Sequence, residues 1–85
     1  MDFQITVPEY SAATGMQYRW TPGFEITISL ADGALHIKAN KEGLESLANH
    51  LLNLAQDAVP SGTHLHLDEN NALESGSLHL IIEKS

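Results

Sequence analysis

The stretch Phe24-Glu25-Ile26-Thr27-Ile28-Ser29-Leu30-Ala31-Asp32-Gly33-Ala34-Leu35-His36-Ile37-Lys38-Ala39 decides the fold. Two runs of alternating apolar and polar residues flank Asp32-Gly33, a pair suited to a type I′ turn because both central residues of that turn need positive φ. A loop of two residues also fixes the register. Leu30 then faces Leu35, Ile28 faces Ile37 and Ile26 faces Ala39, so the apolar side chains share one face while Thr27, Ser29, His36 and Lys38 share the other. Turn and pattern agree on an antiparallel hairpin of 24–30 and 34–39.

On the C-terminal side, Asn40 offers an N-cap, and Leu44, Leu47, Ala48, Leu51, Leu54 and Ala55 recur at three- and four-residue spacing through Asp57. Leu52 widens this stripe, and Glu42, Glu45, Ser46, Asn49 and Asn53 lie opposite. The expectation is one amphipathic helix that lays its leucines on the sheet and turns its polar face to water. His50, toward the edge of the polar face, and His36, on the outer hairpin face, read as surface residues. Gly43 in the first turn weakens the helix by up to about 1 kcal/mol relative to alanine.

On the N-terminal side, Phe3, Ile5 and Val7 alternate up to Pro8 as a first strand, and Tyr18-Arg19-Trp20 suggests a second, closed by the type II turn signature Thr21-Pro22-Gly23-Phe24. Beyond the helix, Pro60-Ser61-Gly62 breaks the chain. Thr63 to Leu67 and Ser77 to Glu83 alternate as two more strands, joined by the polar loop Asp68 to Gly76. The element order ββββαββ predicts a single α+β domain over residues 1–85, an antiparallel or mixed sheet of about six short strands with the helix on one face.

Composition narrows the function. A chain of 85 residues has room for one core, and a deep catalytic cavity would compete with the packing that keeps it folded. Cysteine is absent, which excludes disulfides, thiolate metal sites and a thiol nucleophile. The start Met1-Asp2-Phe3-Gln4 lacks the pattern of a signal peptide, and the longest apolar run, Leu80 to Ile82, is far shorter than a membrane span, so a cytoplasmic location is expected. Eleven carboxylates against Arg19, Lys38, Lys41 and Lys84 give a net charge of −7, which opposes nucleic acid and anionic membranes. The same field keeps a small protein soluble and would speed its encounter with a basic one. Ser11 and Ser61 lack a nucleophile-elbow setting, and no glycine-rich phosphate loop follows a strand, so no catalytic residue and no cofactor are expected.

Alternation places His64, His66 and Asp68 on one face of a strand. If Leu65 pairs with Leu80, His66 lies opposite His79, and three imidazoles with one carboxylate form a zinc set on paper. The same residues also suit the solvent face of a half-covered sheet. The nine-residue loop Asp68 to Gly76 holds Asp68, Glu69 and Glu74, two amides and a protruding Leu73, without the carboxylate spacing of an EF-hand. Long loops carry function more often than short ones, which makes this the first choice for contact with a basic partner. Tyr18, Trp20 and Phe24 near the type II turn could anchor an interface or fill a core.

From Asn40 the chain reads Asn40-Lys41-Glu42-Gly43-Leu44, Leu47-Ala48, Leu51-Leu52, Leu54-Ala55-Gln56-Asp57 and Val59-Pro60. It continues Gly62-Thr63-His64-Leu65-His66-Leu67-Asp68-Glu69, Leu73-Glu74-Ser75-Gly76-Ser77 and Leu80-Ile81-Ile82-Glu83-Lys84. This series resembles the immunity protein 32 family of bacterial polymorphic toxin systems, closely in the C-terminal half and loosely before it. The resemblance implies a cytosolic, non-enzymatic antidote that binds a cognate toxin, with His64, His66, Asp68, Glu69 and Glu74 as the positions to test. A basic toxin, such as a nuclease, would suit the acidic surface. Two other readings stand beside it: a metal-binding protein or metal-dependent enzyme using His64, His66, His79 and Asp68, and a module that dimerises through its outer sheet face or an edge strand, the chain being monomer or homodimer. Reversing Asp68, Glu69 and Glu74 together to lysine is expected to weaken toxin binding and leave the melting temperature nearly unchanged.

Overall fold

In the computed structural model, which describes all 85 residues, the hairpin forms as expected from β1 (Ile26–Ala31) and β2 (Ala34–Ala39). Ile26 pairs with Ala39, Ile28 with Ile37 and Leu30 with Leu35, the register that the two-residue loop dictates. Asp32 and Gly33 take φ of 53° and 75°, as a type I′ turn requires. The type II turn before β1 closes with a hydrogen bond from the Phe24 amide to the Thr21 carbonyl.

Asn40 joins the hairpin to the helix α1 (Lys41–Leu54). Its Oδ1 accepts from the Gly43 amide at 2.8 Å, an N-cap, and from the Glu25 amide at 3.0 Å, while its Nδ2 donates to the Gly23 carbonyl. This clamp draws the first helical turn so close to β1 that a Cβ on Gly43 would stand 2.6 Å from the Glu25 carbonyl oxygen. Glycine is required there by the approach of two backbones.

After the helix come β3 (His64–Leu67) and β4 (Leu80–Glu83), a second antiparallel pair. The architecture is α+β, with one helix and two two-stranded antiparallel sheets in the order ββαββ, and so four strands where about six were expected. Two of the expected strands do not form, the chain there being fastened to the helix instead of to a neighbouring strand. Residues 3–7 and 18–20 belong to an irregular segment laid along the helix, and the polar side chains of α1 hold it there. Asn49 Nδ2 donates to the Thr6 carbonyl, Asn53 Nδ2 to the Gln17 carbonyl, and Ser46 Oγ accepts from the Thr21 amide. Just past the helix, Gln56 accepts from the Tyr10 amide and donates to the Pro8 carbonyl.

The last strand is shortened for a similar reason. Ser77 and Leu78 serve the free edge of β1: the Leu78 amide donates to the Ile28 carbonyl, the Glu74 amide to the Ile26 carbonyl, and the Ile28 amide donates to Ser77 Oγ. Residues 74–78 thereby close an edge that would otherwise be open and tie the two sheets together. Leu73, expected to protrude, is 5% exposed and belongs to the core with Ile26, Ile28, Leu54, Leu65 and Leu67. Met16, Tyr18, Trp20 and Phe24 pack around this core, which settles the aromatic cluster as a packing element.

The helix is turned about its axis relative to expectation. Ser46, Asn49, His50 and Asn53 are buried, whereas Leu44, Leu51 and Leu52 stay more than half exposed. Each polar contact to the strap contributes about 1 kcal/mol net, and leaving those side chains dry and unpaired would cost more, so the strap and the buried polar face stabilise one another. His50, expected at the surface, has no exposure. It sits edge-on to Tyr18 at 5.2 Å and Trp20 at 4.3 Å between ring centroids, and neither ring nitrogen has a hydrogen-bond partner. Burial pushes its pKa down to about 4.

Candidate partner-binding site

Leu65, Leu67, Leu80 and Ile82 point from β3 and β4 toward the core, so alternation sends His64, His66, Ile81 and Glu83 outward. His64 pairs with Glu83 across the ladder, its Nδ1 3.9 Å from Oε1 and 3.0 Å from the Gly62 carbonyl oxygen. The His64 and His66 rings meet edge to face with centroids 4.8 Å apart. Ile81 lies opposite His66 and is 56% exposed. The result is an open strip on which one apolar side chain is framed by two imidazoles and a carboxylate. Lys84 lies just beyond, but its Nζ is engaged by the carbonyls of Gln56 and Val59 and adds no free cation.

The register differs from the one that would assemble three histidines. Leu65 pairs with Ile82 and His66 with Ile81, so His79 falls beside Asp68, with Nε2 3.9 Å from Oδ2. The cause is the commitment of Leu78 to β1, which fixes where β4 can begin. No group of three or more histidine and acidic side chains converges tightly enough to hold a metal ion. The zinc arrangement of His64, His66, His79 and Asp68 is therefore not assembled.

The acidic loop also differs from a solvated connection. The Asp68 carbonyl accepts from the amides of Asn71, Ala72 and Leu73, and its Oδ1 accepts from those of Asn70 and Asn71. Asn71 answers by accepting from the Asp68 amide and donating to the His66 carbonyl. Glu69 Oε2 accepts from the Gly76 amide at 2.8 Å. These bonds fold the loop onto itself and carry Leu73 into the core, so Asp68 and Glu69 shape the loop. This bonding argues against the expectation that reversing Asp68, Glu69 and Glu74 together to lysine leaves the melting temperature nearly unchanged. Asp68→Ala should lower stability by about 1 to 2 kcal/mol, read as a shift in the urea midpoint at unchanged slope.

Glu74 is the exposed acid of the loop whose side chain is free. It lines a shallow cleft of about 400 Å³ with Glu25, Thr27, Lys38, Ala39 and Asn40, a lining that includes neither His64 nor His66. Two carboxylates thus flank the outer face of the hairpin. Glu25 was not singled out from the sequence, and neither were Ile81 and Glu83. The outward direction of the last two follows from alternation, but their neighbours follow only from the register.

No helix is long and apolar enough to cross a membrane. Among curated proteins and among solved structures, none matches the chain. The family described as immunity protein 32 matches residues 34–85, from β2 through α1, β3 and β4 to the last residue. More than half of the sequence, including every residue of the outward strip and the acidic loop, lies within that match. The chain belongs to the immunity protein 32 family.

Proposed function

We propose that this protein is a cytosolic antidote that neutralises one cognate toxin by stoichiometric binding. Family membership carries the reading, since an immunity protein implies a toxin as its partner. Occlusion of the toxin suffices for protection and asks for no catalysis, which agrees with a fold whose clefts are open and shallow.

The contact surface is the outward strip of β3 and β4, with His64, His66, Ile81 and Glu83, flanked by the acidic loop. Ile81 supplies apolar contact, and the polar groups around it supply orientation, a common division of labour in interfaces. Asp68 and Glu69 act by holding the loop in shape. Glu74, with Glu25 across the cleft, supplies unengaged negative charge for a basic toxin, such as a nuclease. The net charge of −7 adds long-range attraction.

Co-expression with the toxin encoded beside its gene tests the immunity reading itself: the wild-type chain should protect the cell, and failure to protect would refute it. The surface is tested by Ile81→Asp and by the double reversal Glu74→Lys with Glu83→Lys, side chains that are exposed and have no bonds the fold relies on. Each variant should bind the purified toxin at least tenfold more weakly, with the charge reversal also flattening the salt dependence of the association rate. Circular dichroism should be unchanged. Protection by wild type combined with unaltered affinity in both variants would move the contact elsewhere.

A further inference from the structure

The leucine face of α1 is left open. Leu44 is 56% exposed, Leu51 and Leu52 are each 51% exposed, and Phe3 is 64% exposed. Beside the first half of the helix runs an open groove of about 630 Å³ lined by Phe3, Ile5, Lys41, Leu44, Glu45 and Ala48. Beyond the groove, toward the C-terminal end of the same helix face, stand Leu51 and Leu52. One face therefore holds a recess at one end and two apolar knobs at the other.

We propose that a second copy of the chain covers this face, the two α1 helices packing antiparallel about a twofold axis that passes beside Ala48. This pairing is independent of toxin binding. In that register Leu44 of one copy lies opposite Leu52 of the other, Glu45 opposite Leu51, and Lys41 opposite Ala55. The groove of each copy thus receives the knobs of its partner, and the exchange happens twice. Such self-complementarity is what a twofold interface requires, because the same patch must serve both sides. A parallel arrangement would set knob on knob and groove on groove.

Size and charge fit the same arrangement. Ala48 and Ala55 are small, so the helix axes can approach to about 8 to 10 Å. Lys41, exposed on the rim of the groove, comes opposite Ala55 at the C-terminal end of the partner helix, whose last turn holds no basic residue, so its charge meets the negative end of the helix dipole twice. A stable dimer buries about 800 Å² on each partner, more than one face of a short helix offers. Phe3 and Ile5 widen the strip beyond the helix. The net charge of −7 on each copy opposes association, so added salt should favour the dimer.

Sedimentation velocity of the full chain, from micromolar to millimolar concentration, tests the proposal. Wild type should move from monomer mass toward twice that mass, and the pair Leu51→Asp with Leu52→Asp should remain monomeric throughout with an unchanged circular dichroism spectrum. Lys41→Glu alone should weaken association at least tenfold. A wild-type chain that stays monomeric at millimolar concentration would overturn the proposal. So would a dimer indifferent to the leucine pair. Loss of toxin binding in the leucine variants of a monomeric wild type would assign the face to the toxin and overturn it equally.

Discussion

Gly43→Ala should destabilise the protein by about 2 kcal/mol, against the gain of nearly 1 kcal/mol that alanine brings to an ordinary helix interior. The added Cβ would stand 2.6 Å from the Glu25 carbonyl oxygen and 3.0 Å from both Ala39 Cβ and Ile26 Cγ1. None of these neighbours can yield cheaply. Ile26 has no exposure, and Glu25 is held on both sides, its carbonyl accepting from the Asn40 amide at 3.1 Å and its amide donating to Asn40 Oδ1. Relief would have to come from moving the helix off the hairpin, which would loosen the cap and the core together. Urea unfolding of the two proteins gives the comparison directly. An alanine variant as stable as wild type would mean that helix and hairpin do not approach as described.

Acidification should unfold the protein earlier than carboxylate protonation alone would, and His50→Leu should remove that part of the pH dependence. The folded state keeps the buried imidazole neutral down to about pH 4, whereas the unfolded chain takes up a proton near the ordinary value of 6.5. Between those values the unfolded state holds more protons, so stability rises with pH. The contribution is complete above pH 6.5 and is lost as pH falls toward 4, up to about 3 kcal/mol in all. His50→Leu leaves an apolar side chain of similar size between Tyr18 and Trp20 and removes two unpaired nitrogens. It should also raise stability at neutral pH by about 1 to 2 kcal/mol. Stability curves of both proteins at several pH values between 4 and 7 check both claims, and parallel curves would remove His50 as the cause.

The hairpin was legible in the sequence because a two-residue loop admits one register and the apolar pattern repeated the message. The helix was legible in extent but not in rotation. Binary patterning assigns Ser46, Asn49 and Asn53 to water, yet their hydrogen-bonding capacity is met equally well by the carbonyls and amides of a neighbouring chain. A strap without regular structure gives no periodic signal of its own, so nothing marked those polar residues as an inner face. The outward direction of His64 and His66 was legible from alternation. Their cross-strand neighbours were not, because a nine-residue loop, unlike the hairpin turn, leaves the register open, and the bond from Leu78 to β1 chose it. The same loop shows why charge alone misleads: Asp68 and Glu69 look like free acids until the amides they cap are seen.

The row of side chains that fastens the strap has a consequence for how such a protein can change. Ser46, Asn49, Asn53 and Gln56 grip main-chain atoms of Thr6, Pro8, Tyr10, Gln17 and Thr21, which every residue type offers apart from the missing amide of proline. The grip is blind to spelling. The exposed side chains of the strap, which lies outside the stretch matched by the family, can therefore change while the seating beneath stays the same. A member of the immunity protein 32 family has, in that arrangement, a region it can rewrite without refolding.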